Sequence, residues 1–205
     1  MMQDRCGDNP QKSANYDENV AYTRDKARLK ASLNRPIVLI GMMGVGKTRM
    51  GQLLAERLGL GFCDSDAVIE ESQGGTIAAY FAKNGEPAFR DLEYKTFDTL
   101  LDGTPKVIGA GGGVVVNPQS RAILRDRAYV IWLQADIAEL VKRCAGSTAR
   151  PLLNSGDPET ILTNLLEKRA SLYAETAAFT VHTDTQSIDA TINALINGLD
   201  QCLKT

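Results

Sequence analysis

Histidine is nearly absent from this 205-residue chain, with His182 alone against 23 basic and 25 acidic side chains. Histidine-clustered zinc sites and imidazole proton shuttles therefore have almost no material. Cysteine is sparse too. Cys6, Cys63, Cys144 and Cys202 stand far apart with no Cys-x-x-Cys pair, which reads as free thiols in a reducing compartment rather than a structural zinc. A net charge of −2 supplies no basic footprint for nucleic acid. No apolar run reaches the roughly 18 to 20 residues of a membrane span. The N-terminus lacks the basic-then-apolar design of a secretory signal, and Asp4, Asp8, Asp17 and Glu18 are out of place in an organelle-targeting peptide. These absences point to a cytoplasmic protein with neither nucleic acid nor membrane as a partner. His182 is expected to close a strand.

What is present is an alternation. Residues 1–34 are polar, carry the turn-formers Gly7 and Pro10 and mix both charges, so they are expected to form a flexible N-terminal extension, with 23–33 open to helix. From Pro36 onward, short apolar runs alternate with longer helical patterns over a domain expected at 35–205. Strands are predicted at 37–41, 61–64, 106–109, 129–133 and 178–181. Helices are predicted at about 47–58, after 64, at 76–83, 86–101, from 137 to near Gly146, 159–173 and 188–203. The fold class is α/β: a three-layer α/β/α arrangement on a five-stranded parallel sheet. The polar stretch at about 145–158, with Pro151, Gly156 and Pro158, reads as a mobile lid.

The first strand runs into Gly41-Met42-Met43-Gly44-Val45-Gly46-Lys47-Thr48, the spacing of a P-loop. Glycines let the backbone curl so that its N–H groups line a concavity, and the following helix adds the positive end of its dipole. Such a nest holds phosphate. Lys47 is placed to reach the β- and γ-phosphates of a nucleoside triphosphate, and the Thr48 hydroxyl to bind Mg²⁺ beside them.

In an open parallel sheet, the loops at the carboxyl ends of the strands build the ligand site. After the second strand come Asp64-Ser65-Asp66, which read either as metal and acceptor carboxylates or as a helix cap followed by solvated acids. After the third come Gly111-Gly112-Gly113, which offer backbone N–H groups and bare space, or simply a turn. Arg90, Arg143, Arg150 and Arg169 are each open to a solvated role. Arg150 differs by its place in the lid segment, where it can swing onto a transferring phosphoryl group. Arg90 and Arg169 suit an anionic acceptor, because a guanidinium grips a carboxylate with two prongs.

The ordered set of motifs resembles the shikimate kinase family, small P-loop kinases of aromatic amino acid biosynthesis, over about residues 36–185. Beside the P-loop, Asp64-Ser65-Asp66 and the glycine triplet, it comprises Phe89-Arg90-Asp91-Leu92-Glu93, Arg150-Pro151-Leu152-Leu153 and Arg169-Ala170-Ser171-Leu172-Tyr173. The resemblance implies a P-loop NTPase fold and transfer of phosphoryl from ATP to the 3-hydroxyl of shikimate, with Mg²⁺. Residue by residue, it implies nucleotide binding by Gly44, Val45, Gly46, Lys47, Thr48, Arg49, Arg143 and Arg150, with Arg143 against the adenine. Thr48 and Asp64 would serve Mg²⁺. Asp66, Arg90, Gly111, Gly112, Gly113 and Arg169 would bind shikimate, and Lys47, Asp66 and Arg150 would be catalytic, in a protein expected to be monomeric. The chain departs from some members after the fifth strand, where residues 182–187 lack the arginine and proline placed against the adenine. A gluconate kinase shares the loop and lid but has no need of the acceptor-carboxylate motifs. A noncatalytic nucleotide switch has no need of Lys47, Asp66 and Arg150 together.

Overall fold

β1 (Ile37–Ile40) carries four buried side chains in a row, the composition of a strand covered on both faces. It lies at the middle of a five-stranded sheet of order β2–β3–β1–β4–β5, with β2 at Gly61–Asp64, β3 at Lys106–Gly109, β4 at Tyr129–Gln134 and β5 at Phe179–His182. Every pairing is parallel. The structure, a computed structural model, describes residues 27–145 and 156–204. The five predicted strands are all found, with ends moved by one residue at most. The shift of β5 follows from its register, which sets Phe179 beside Ile131 and ends on His182 beside Gln134.

From β1 onward, seven α-helices among the described residues connect and flank these strands: α1 (Lys47–Leu58), α2 (Ser65–Gln73), α3 (Ile77–Leu100), α4 (Pro118–Arg127), α5 (Ile137–Cys144), α6 (Pro158–Thr176) and α7 (Ile188–Cys202). α1 and α7 pack together on one side of the sheet, and α4 and α6 pack together against β4. The two helices predicted at 76–83 and 86–101 are the halves of α3, which breaks at Gly85 (φ 78°, ψ 173°) just before Pro87. α4 was not predicted from the pattern. Its inward side chains are Ser120 and Leu124, set among Arg121, Arg125 and Arg127, so the apolar stripe is faint. Its start signals are nonetheless present, because Asn117 accepts a hydrogen bond from the Gln119 amide and Pro118 opens the helix. No helix among the described residues is long and apolar enough to cross a membrane.

The boundary expected at residue 34 falls inside folded chain. Residues 27–32 are helical, and Leu29 and Leu33 are buried in the main core. Polar contacts fasten the same segment: Arg28 pairs with Asp200 at 2.9 Å, and the Tyr129 hydroxyl donates to Asn34 Oδ1 at 2.9 Å. Arg35 donates to the Asp126 carbonyl at 2.9 Å. A polar composition hid two leucines spaced four apart, which lie on one helical face. Residues 1–26 of the expected extension, and 146–155 of the expected lid, lie outside the described residues.

Candidate active site

The carboxyl ends of β1, β2 and β3 open on one cleft of about 570 Å³, at the place where strand order reverses around β1. The P-loop forms its floor. Gly46 adopts φ 97°, a conformation that strongly favours glycine, and as the N-cap of α1 it has no side chain to occupy the first-turn amides. Those amides and the helix dipole are thereby offered to a ligand's oxygens. Lys47 Nζ lies over the loop, donating to the Gly41 carbonyl at 2.9 Å and the Met42 carbonyl at 3.0 Å. Gly44, Gly46, Lys47, Thr48 and Arg49 line the cleft as expected. Val45 does not; its side chain is buried beneath the loop.

Asp64 uses both carboxylate oxygens. Its Oδ1 accepts from the Asp66 amide at 3.1 Å and caps α2, while its Oδ2 accepts from Thr48 Oγ1 at 2.8 Å. A hydroxyl and a carboxylate side by side are hard oxygen donors of the kind Mg²⁺ uses alongside phosphate oxygens and water. No group of three or more His, Cys, Asp or Glu among the described residues makes a self-sufficient metal cage, so an ion here fits only together with a phosphate ligand. Asp66 lies deeper. Burial, then the charge of Asp64, raises its pKa above the usual carboxylate range, with Lys47 and Arg90 pulling the other way.

The glycine triplet is more than a turn, because charged groups crowd the places where side chains would be. A Cβ on Gly111 would stand 2.6 Å from Asp66 Oδ1 and 3.1 Å from Glu93 Oε1. One on Gly113 would stand 2.5 Å from both terminal nitrogens of Arg90, inside its two-pronged fork. The triplet is also tied down: the Gly111 amide donates to the buried Ser65 Oγ at 3.1 Å. The Gly112 carbonyl accepts from Arg169 Nη1 at 3.1 Å and from the Tyr173 hydroxyl. Tyr173 is fully buried, and burial pushes its pKa up to about 12, so it remains a neutral donor.

Arg90 is held by two carboxylates, Glu93 at 2.8 Å and Glu86 at 3.0 Å. Burial works against its charge, but the acids outweigh that and raise its pKa. Glu93 is 1% exposed, and burial lifts its pKa to about 7 even though Arg90 opposes the shift.

Arg143 edges the cleft beside the P-loop. Its guanidinium donates to Thr183 Oγ1 and to the Thr183 carbonyl, both at 3.0 Å, and to Glu139 at 2.8 Å. The Thr183 hydroxyl lies 3.0 Å from the Val45 carbonyl, joining the end of β5 to the foot of the P-loop. The predicted residue Arg150 lies outside the described residues. All the other predicted positions except Val45 line the one cleft.

Sequence reasoning assigned no role to Ser65, Glu93, Tyr173 or Thr183. Glu93 and Tyr173 carried a signal, spaced three and four residues after Arg90 and Arg169 and hence on the same helical face. Ser65 and Thr183 carried none, because their partners are 46 and 138 residues away.

The family model described as shikimate kinase matches residues 43–200. A shikimate kinase of Paramagnetospirillum magneticum is 44% identical over 171 residues, covering 83% of this chain and 87% of that protein. One from Caulobacter vibrioides is 41% identical over 177 residues, 86% of each chain. Among solved structures, a shikimate kinase from Acinetobacter baumannii in complex with shikimate superposes with a TM-score of 0.79 at 32% identity, over 84% of this chain and 98% of that one.

Proposed function

The chain belongs to the shikimate kinase family, and on that premise we propose how its cleft transfers a phosphoryl group from ATP to the 3-hydroxyl of shikimate, giving shikimate 3-phosphate and ADP in aromatic amino acid biosynthesis. The observation that carries the reading is the meeting in one cleft of the P-loop and an arginine fork that any side chain at position 113 would enter.

At the donor end, the P-loop amides and Lys47 hold the phosphates, and Arg143 presents a guanidinium face to the base, its edges being occupied by Thr183 and Glu139. Thr48 and Asp64 would hold Mg²⁺, which supplies neutralising charge on the phosphate oxygens. At the acceptor end, the Arg90 fork takes the shikimate carboxylate over Gly113, and Arg169, steadied by the Gly112 carbonyl, adds a second cation. Asp66 accepts a hydrogen bond from the attacking hydroxyl, and its raised proton affinity suits it to receive that proton late in the transfer. Arg150 is assigned to the transferring phosphoryl on the family motif alone. Because transfer of this kind depends chiefly on alignment and on charge stabilisation, these groups supply most of what it requires. One chain builds the whole cleft, which supports a monomer as the working unit.

The direct test follows ADP release from Mg²⁺-ATP with shikimate, gluconate or a nucleoside monophosphate as acceptor. Release with shikimate alone is expected. Release with gluconate instead would overturn the acceptor assignment, and silence with all three would point to a noncatalytic nucleotide binder.

A further inference from the structure

The acceptor end of the cleft holds one more buried acid than the transfer itself uses. Glu93 Oε2 accepts from Arg90 Nη1 at 2.8 Å, while Oε1 converges with Asp66 Oδ1 on the space beside Gly111. The charged and titratable groups facing Glu93 come from each packed element: Asp66 from α2, Arg90 and Glu86 from α3, Arg169 and Tyr173 from α6. Lys47 from α1 acts on Asp66 behind it. Arg90 is therefore shared between two carboxylates before an acceptor arrives, and its two terminal nitrogens face Gly113.

A third carboxylate in that fork adds negative charge to the same guanidinium and shares Nη1 with Glu93. Like charges at close range favour the neutral form of the more deeply buried group. Glu86 has 60% of its side chain exposed and is relieved by water, whereas Glu93 has 1% exposed and no such relief. Resting on the assignment of the acceptor site, we propose that Glu93 is a positioning residue that takes up a proton from solvent as the acceptor's carboxylate enters the Arg90 fork. The proton adds to the Glu93 carboxylate, and no bond of the acceptor forms or breaks. Protonation falls on Oε1, on the side facing Asp66, and Oε2 stays an acceptor for Arg90. The charge of Arg90 is then shared between Glu86 and the substrate alone.

Burial has already brought Glu93 to about pH 7, so the added charge needs to move it only modestly to change its state. The sign follows from linkage: if binding takes up a proton, lower pH strengthens binding. Between pH 8 and 6 the affinity for shikimate rises, while the acceptor's own carboxyl, with an ordinary pKa near about 4, stays ionised throughout.

Calorimetric titration of shikimate into the full chain at pH 7, in PIPES and in Tris, tests this; phosphate is avoided because the P-loop would bind it. The apparent enthalpies should differ by the buffers' ionisation heats times about half a proton per shikimate, since a group titrating near 7 is already half protonated there. Glu93→Gln, which keeps the shape and an acceptor oxygen for Arg90, should bind shikimate with no buffer dependence. In steady state the wild-type KM for shikimate should rise several-fold from pH 6 to 8 with KM for ATP steady, and the variant's shikimate KM should stay flat. Equal enthalpies in the two buffers for the wild type overturn the proposal without any variant. Uptake that persists in Glu93→Gln overturns it as well, by placing the proton elsewhere. Failure of the acceptor assignment looks different: shikimate would give neither heat nor ADP release at any pH, and both readings would fall.

Discussion

A methyl group on Gly113 would enter the fork of Arg90, and the effect should be confined to one substrate. Gly113→Ala and Arg90→Ala should each raise KM for shikimate about ten- to a hundredfold, the loss of a charge-assisted hydrogen-bond pair worth ~1.5–3 kcal/mol. KM for ATP should barely move. Equal changes in both constants would move Arg90 away from the acceptor. Lys47→Ala should lower kcat by roughly a hundredfold or more, in line with the removal of other preorganised charge-stabilising donors. Turnover near that of the wild type in a single-turnover assay would sink its role. Glu93 has a consequence for stability as well. Its folded pKa, about 7, lies above the ordinary value of 4.5, so stability contributed by the protonated form is full below pH 4.5 and is lost as pH rises through 7. The melting temperature of Glu93→Gln minus that of the wild type should therefore be larger at pH 8 than at pH 5. A difference that does not change with pH would show that Glu93 does not titrate in that window.

At the scale of elements, the N-terminal segment separates composition from packing. Residues 27–33 lie in a stretch whose polarity argues for a loose extension, yet Leu29 and Leu33 are 3% and 5% exposed, within the main core. Removal of residues 1–34 should lower unfolding stability by about 3 kcal/mol or more, because each buried leucine contributes ~1.5–3 kcal/mol. Removal of 1–26 spares both leucines and should cost far less. Denaturant unfolding of the two truncations decides the matter, and equal stabilities would show that 27–34 do not hold the fold. α3 and α4 mark what pattern can and cannot reveal. Gly85 announced the break in α3 because its backbone preference acts locally. α4 hid because an arginine-rich surface helix shows few apolar positions, and only its cap and proline spoke for it.

For the molecule as a whole, β1 placed at the centre of the sheet brings the P-loop, the Asp64-Ser65-Asp66 turn and the glycine triplet to one edge. The long-range ties, from Ser65 to Gly111, Tyr173 to Gly112 and Thr183 to Val45, then hold these loops against each other. From the sequence came the parallel sheet and the P-loop, because each is written in short-range spacing, strand against helix period and glycines before Lys47-Thr48, whereas Arg90 and Arg169 stand out by guanidinium chemistry and by the family motifs around them. Tertiary structure alone decided that Val45 turns inward, that Asp64 both caps α2 and meets Thr48, and that Glu93 is buried between Arg90 and Asp66. The physical reason is that burial and proton affinity are sums over neighbours from distant parts of the chain, and no local pattern carries such a sum.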